Sequence, residues 1–281
     1  MGIFSMIAGT STAKLPYLNG GESVKKTLIP IIFTILFAMA LPGAAHAFGL
    51  EIAGGAWLQS PSGTLAYEAL DPNDFLDLEN DLKYEDETRF FGRLNIDMPL
   101  FFPNIYLMVT PMEFEGDGIK SLDFKFGDET ISGSAPFYSN LNLNHADIAL
   151  YYGIPGLETA TADMLNIDIG INVRIYDVEA RIVQESPSSV DITESITVPI
   201  PQVFLALQFR PTDFLALEAE GRGISISGNK AYSLIGRLRF NILGPFFLTG
   251  GYRYDKIDID EEGVIIDTDF SGPFAEAGLA F

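Results

Sequence analysis

His145 stands two residues before Asp147 in the stretch NLNLNHADIAL, 140–150. In an extended strand, residues two apart share a face, so imidazole and carboxylate would sit together. Hydrolases add a hydroxyl nucleophile to such a pair, and Ser139 is near in sequence. The chain contains no Gly-x-Ser-x-Gly elbow, and no spacing brings a serine to His145. The reading taken is a hydrogen-bonded polar histidine in a non-enzymatic protein. A lipid-acting hydrolase using His145 is the alternative.

Two acidic runs, LDPNDFLDLENDLKYEDE (70–87) and DKIDIDEEG (255–263), carry oxygen ligands of the type that Ca²⁺ and Mg²⁺ prefer. Neither has EF-hand spacing, so they read as solvated loop surface, and nothing in the sequence calls for a cofactor. There is no cysteine, which excludes disulfides, thiolate metal sites and thiol nucleophiles. The formal charge is −21. No basic stripe exists to neutralise phosphates, which excludes nucleic acid as a partner.

The remaining charged residues are sorted by type. Lys83, Lys120, Lys125, Lys230 and Lys256 fall in or beside long acidic connections. Arg93, Arg174, Arg222, Arg237, Arg239 and Arg253 lie inside alternating segments, on the polar side. Asp97, Asp147, Asp168, Glu218, Glu220, Asp255 and Glu276 share that side. Arginine suits enclosed pairing because its planar fork meets carboxylates bidentately and is weakly hydrated. These thirteen residues are therefore expected to form a charge network lining an interior.

The elements that hold them are strands. In LNIDIGINVRI (165–175) every odd position is aliphatic and every even one polar or glycine, the period of a two-faced strand. Similar segments occur near 50–59, 88–98, 104–115, 139–152, 164–178, 197–210, 213–226, 230–241, 246–257 and 269–281. Several reach the 9–11 residues (approximately) of a tilted membrane span. Short connections (100–104, 153–163, 210–213, 241–245) alternate with long acidic ones (60–87, 116–138, 179–196, 258–268), SGN at 227–229 being the short exception. Within the second long one, LDFKF (122–126) predicts a hairpin projecting above the membrane. Aromatics crowd the short-turn rim: Phe101, Phe102, Tyr151, Tyr152, Phe209, Phe214, Phe240, Phe246, Phe247 and Phe281. They read as an interfacial girdle. Together these features predict an all-β, antiparallel, up-and-down transmembrane barrel of about ten strands, with eight or twelve as alternatives. Its aliphatic face meets lipid and its charges face inward. The Gly-Gly pairs at 54–55 and 250–251 read as strand kinks.

The N-terminus predicts export. Lys25 and Lys26 precede the apolar run Leu28–Leu41, and Ala45-His46-Ala47 follows as a cleavage site. Residues 24–47 are read as a cleaved signal peptide, residues 1–23 as an over-predicted start or extension, and 48–281 as the barrel. Removing residues 1–47 takes away Lys14, Lys25, Lys26 and Glu22, which moves the charge from −21 to −23.

The segments GGAW (54–57), SGTLAYEA (62–69), LDLENDLKYEDETR (76–89), PNIYLMVTPM (103–112), DIALYYGI (147–154), LNIDIGINVR (165–174), PIPQVFLAL (199–207), GGYRYDKIDID (250–260) and FSGPFAEAGLAF (270–281) give a further indication. In this order the chain resembles a family of Gram-negative outer-membrane β-barrel proteins with a Gly-Gly element. The closing strand ending on Phe281 resembles the terminal signal that the barrel-insertion machinery reads. The resemblance implies a barrel and a cell outer-membrane address among lipid and lipopolysaccharide; it implies no activity. A narrow or side-chain-occluded polar lumen is the first expectation, since about eight strands enclose only side chains and open pores take about 16. A narrow pore for small solutes or ions is the alternative.

Overall fold

The computed structural model describes residues 49–281 apart from positions 100 and 262; the signal peptide and the extension preceding it lie outside the described residues. In chain order the strands are β1 (Gly49–Tyr67), β2 (Leu76–Asp77), β3 (Glu87–Asp97), β4 (Asn104–Thr110), β5 (Glu113–Gly118), β6 (Phe124–Phe126) and β7 (Glu129–Ile131). There follow β8 (Phe137–Gly153), β9 (Leu165–Gln184), β10 (Val190–Thr212), β11 (Leu215–Ile226), β12 (Asn229–Leu243), β13 (Phe246–Glu261) and β14 (Val264–Ala280). Consecutive staves pair antiparallel around the sheet, and β14 returns to pair with β1 from Glu51↔Ala280 to Tyr67↔Val264. The result is a closed ten-strand barrel, β4 and β5 forming one stave broken at Pro111–Met112. Closure leaves the sheet without a first and a last strand edge.

The two faces of LNIDIGINVRI are resolved by exposure. Ile169, Ile171, Val173 and Ile175 point away from the barrel, Ile171 being 64% exposed, whereas Asn172 and Arg174 are buried inside. Leu205, Leu217, Leu234, Leu238 and Leu248 continue this outer apolar surface on the neighbouring staves. From Leu165 to Ile175 the outward positions of β9 are all aliphatic, and Asp177 ends the run. Ten residue steps are about 33 Å of strand. At a tilt of about 40° that is a band about 25 Å tall, the height of the apolar belt of a membrane barrel.

Above that band the strands continue further than alternation indicates. The expected long connections 179–196 and 258–268 are mostly ladder: β9 pairs with β10 up to Gln184↔Val190, and β13 with β14 up to Glu261↔Val264. The reason is physical. Beyond the apolar band the outer face of a strand meets water and loses its aliphatic pattern while pairing persists; the inner face stays covered, Ile182 and Gln184 being buried. The girdle also needs correction. Tyr151 and Phe247 turn inward and are buried, while Phe101, Phe102, Tyr152, Phe209, Phe214, Phe246 and Phe281 are exposed; Phe240 is half-buried against Phe214, with ring centroids 5.5 Å apart.

The Gly-Gly pairs sit inside uninterrupted strands. Gly55 and Gly251 face the lumen, where an added Cβ would lie 2.8 Å from Phe91 Cζ and 2.4 Å from Phe274 Cζ. Their missing side chains make room for these two rings, which pack edge to face at 5.7 Å.

The long loops fold over one mouth. Leu76, Leu78 and Leu82 of the first are almost wholly buried and join Phe114, Phe137 and Phe270 in an apolar cluster. The LDFKF segment forms the β6–β7 hairpin and lies down on this cluster, Phe124 and Ile131 being buried. A short 3-10 turn, Pro72–Asp74, pins the arrangement. Asp74 accepts backbone N–H bonds from Leu70 (2.7 Å), Asp71 (3.1 Å) and Lys125 (2.7 Å). Burial works against its charge, but the three donors outweigh burial and hold the carboxyl below its ordinary value.

Two outcomes follow. Ile171→Arg, at mid-band, is expected to destabilise the barrel by about 2–4 kcal/mol, read by urea unfolding in lipid with Trp57 fluorescence as the probe. Because the Asp74 pKa is depressed on folding, its contribution is present above the ordinary carboxylate range, near pH 3.9, and is lost as pH falls through the lowered value. Protection factors of the amides in 68–86, taken against the intrinsic exchange rate at each pH, are therefore expected to fall under acid. Asp74→Asn should show lower protection at neutral pH and a smaller fall under acid.

Candidate functional site

Strand alternation delivers one polar side chain per two residues to the lumen, and antiparallel pairing sets these side by side. Arg237 opposes Glu218, and Arg174 opposes Asp147. The outcome is a continuous chain of alternating charge. Arg253 holds Asp255 through two bonds (3.0 and 2.7 Å), and Asp255 reaches Arg174 at 3.3 Å. Arg174 grips Asp147 bidentately (2.8 and 3.0 Å), and Asp147 meets Arg222 at 2.6 Å. Arg222 bonds Glu220, which accepts from Arg237 at 2.8 Å. Arg237 lies 4.0 Å from Glu276, and Glu276 accepts from Arg93 at 2.7 Å. Arg93 and Arg239 share Glu51, and Arg239 ends the chain 3.6 Å from Glu218.

Six guanidiniums thus meet six carboxylates, Glu51 among them, and the belt is formally neutral. Aromatic rings cover the guanidinium faces: Trp57 under Arg253 (4.4 Å), Tyr106 under Arg222 (4.6 Å) and Phe247 under Arg239 (3.8 Å). Such contacts strengthen where water is excluded. Trp57, whose orientation the sequence leaves open, is 0% exposed and donates its indole N–H to the Gly272 carbonyl at 3.2 Å. Asn172 extends the belt by donating to Asp147 (2.7 Å) and Gln202 (2.9 Å).

The structure brings together eleven of the thirteen residues expected in the network and leaves out Asp97 and Asp168. These two line a cavity of about 670 Å³ that opens at the short-turn mouth between Met98, Pro155 and Phe281. Asp168 accepts from Asn166 at 3.1 Å, and among the described residues no cation lies within ion-pair distance of either. They sit beyond the last arginine of the belt, in a cavity also lined by Arg210, whose guanidinium bonds Gln208 at 2.7 Å. Glu51 is absent from the expectation although the signal was present: it falls between outward Leu50 and Ile52 and shares the parity of Trp57.

His145 is held inside the same belt. Its Nδ1 lies 3.1 Å from the Leu143 carbonyl and its Nε2 2.9 Å from Arg253 Nη2. Arginine only donates, so Nε2 accepts and the proton sits on Nδ1. The ring is thereby a neutral linker with no free lone pair. Ser139 Oγ donates to the Gly116 carbonyl at 3.4 Å instead of to His145. Among the described residues no three of His, Asp and Glu are grouped to hold a metal ion.

No family model and no curated protein matches the chain. Among solved structures it is similar to the outer-membrane protease OmpT of Escherichia coli, at 9% identity over 83% of this chain and 97% of that one, TM-score 0.49. It is also similar to the translocator domain of the autotransporter NalP of Neisseria meningitidis (10%, 96% and 100%, TM-score 0.43). A third is the attachment invasion locus protein Ail of Yersinia pestis (9%, 84% and 99%, TM-score 0.37). At these identities the likeness concerns fold.

Removing one partner from a buried pair leaves a charge uncompensated, at a cost of about 3–5 kcal/mol. Asp147→Leu, which strands Arg174 and Arg222 together, is expected to destabilise in that range in urea unfolding. The double variant Asp147→Asn/Arg222→Met removes one charge of each sign and should cost less than the sum of its single changes.

Proposed function

We propose that the protein is an integral barrel of the Gram-negative outer membrane, with short turns in the periplasm, acidic loops outside, and a lumen closed to ions and solutes. One observation carries the reading. The belt of six guanidiniums and six carboxylates, with Arg174, Arg222 and Arg253 almost wholly buried, lies between the short-turn cavity and the apolar loop cluster of Leu76, Leu78 and Leu82. An ion crossing it would have to separate arginine–carboxylate pairs buried from water. The loop cluster then presents a second, apolar barrier in series.

The outer face supports the membrane address, since a soluble chain does not expose a continuous aliphatic band of this height. An exported precursor fits the signal-peptide pattern of residues 24–47. The acidic loops stand next to anionic lipopolysaccharide, whose bridging divalent cations ease the repulsion. A non-enzymatic role is supported by the engagement of both His145 nitrogens.

Planar-bilayer recording tests the closed lumen. Purified protein is expected to give no stable conductance steps. Regular steps whose amplitude shifts in Arg237→Ala or Glu218→Ala would replace this reading with a narrow pore constricted by the belt.

A further inference from the structure

The barrel closes on itself, yet some strand segments are paired on one side only among the described residues, and the longest of them lies on β10. Strand β10 runs for 23 residues, Val190–Thr212. It pairs with β9 along its length, from Val190↔Gln184 to Phe209↔Leu165, without a register break. On its other side it pairs with β11 only from Val203↔Gly223 to Thr212↔Leu215. Residues 190–202 therefore have a partner on one side alone among the described residues.

The direction of the free groups is fixed by parity. In an antiparallel ladder a residue's N–H and C=O point to the same neighbour, and successive residues alternate sides. Arg210 donates its N–H to the Met164 carbonyl at 2.7 Å, on the β9 side. Even positions of β10 therefore serve β9, and odd positions serve the β11 side. Pro199 and Pro201 are odd, so the N–H groups they lack are those β11 would have used. This explains why that ladder ends at Val203. Above the prolines, Asp191, Thr193, Ser195 and Thr197 are all exposed and turn N–H and C=O outward along about 20 Å of strand.

We infer that this edge is a docking site for an extended, basic polypeptide segment, which adds as a strand beside Asp191–Thr197. The chemistry of the edge selects the occupant. On one face an added strand would lie along Ile192 and Ile196, the latter 45% exposed. On the other it would lie beside Asp191, with Asp177 and Glu179 of β9 behind. Glu194 adds a further negative charge, and Arg181, paired with Asp191 at 2.8 Å, is the one cation of the hairpin between Ile175 and Pro199. A second copy of the chain would bring the same carboxylates, and like charges across a strand pair are unfavourable. A segment alternating apolar side chains with Lys or Arg matches both faces, and its main chain supplies the hydrogen bonds.

The test uses the full protein in lipid nanodiscs and three synthetic probes: acetylated VKVKVKV, its acidic counterpart VEVEVEV, and a backbone N-methylated VKVKVKV. Binding of the basic probe is expected to slow amide exchange at Thr193, Ser195 and Thr197. The acidic and N-methylated probes should bind at least about tenfold more weakly, a difference of about 1.4 kcal/mol. Ser195→Pro removes a free-edge N–H without touching the β9 ladder and should weaken the basic probe by a similar factor, whereas Ser195→Ala should not. Thr193→Pro serves if Ser195→Pro fails to give folded barrel, and Trp57 fluorescence reports folding in both. Equal binding of the basic and N-methylated probes, no protection at the odd amides, or binding that survives both proline variants would overturn the proposal. Self-association of the barrels through this edge would overturn it equally.

Discussion

Closing a sheet on itself traps whatever its inner face carries. Inside such a wall water is scarce, and charges must be neutralised by one another. This constraint governs the interior here. Twelve ionised groups alternate in sign from Arg253 to Glu218, and each interior carboxylate except the terminal Glu218 touches two guanidiniums. Lysine would not serve as well, because a single ammonium cannot bridge two carboxylates in a plane while its other face lies on a ring. The aromatic residues that turn inward, Trp57, Tyr106 and Phe247, are accounted for by the same requirement. They take the faces of guanidiniums whose edges meet carboxylates.

The belt divides the molecule into unlike halves. On the short-turn side the lumen widens into a polar cavity where Asp97 and Asp168 remain without counter-ions. On the other side the loops bring Leu76, Leu78, Leu82 and Phe124 down onto Phe114, Phe137 and Phe270. The barrel thus ends in an apolar cluster above a neutral belt above a wet vestibule. Desolvation is most severe at the middle layer, and that is where pairing is most complete. The same logic holds His145, whose Nε2 lone pair accepts from Arg253 within the belt.

Much of this was legible in the residues. The alternation of 165–175 gives the strand and its two faces, the sorting of short and long connections gives the up-and-down order, and the restriction of arginine to one face indicates an enclosed interior. What failed to show is equally specific. The strands extend through 179–184 and 190–196, where the outer face meets water and no longer carries the aliphatic pattern that marks the band. Tyr151 and Phe247 were indistinguishable from girdle aromatics, since a rim position alone does not tell whether a ring turns to lipid or to an arginine.

The sequence by itself determined the class of fold, the direction each alternating residue faces and the near-neutral composition of the inner surface, because those follow from a period of two within each strand. Only the tertiary structure decided which charges meet. Glu51 joins Arg93 and Arg239 across the closure between the first and last strands, and Asp147 bridges Arg174 and Arg222 from different staves. Those distances depend on register and curvature summed around ten strands, which no local pattern encodes. The free edge of β10 belongs to the same class: its prolines are visible in the sequence, but which neighbour their missing N–H groups would have served is set by the ladder.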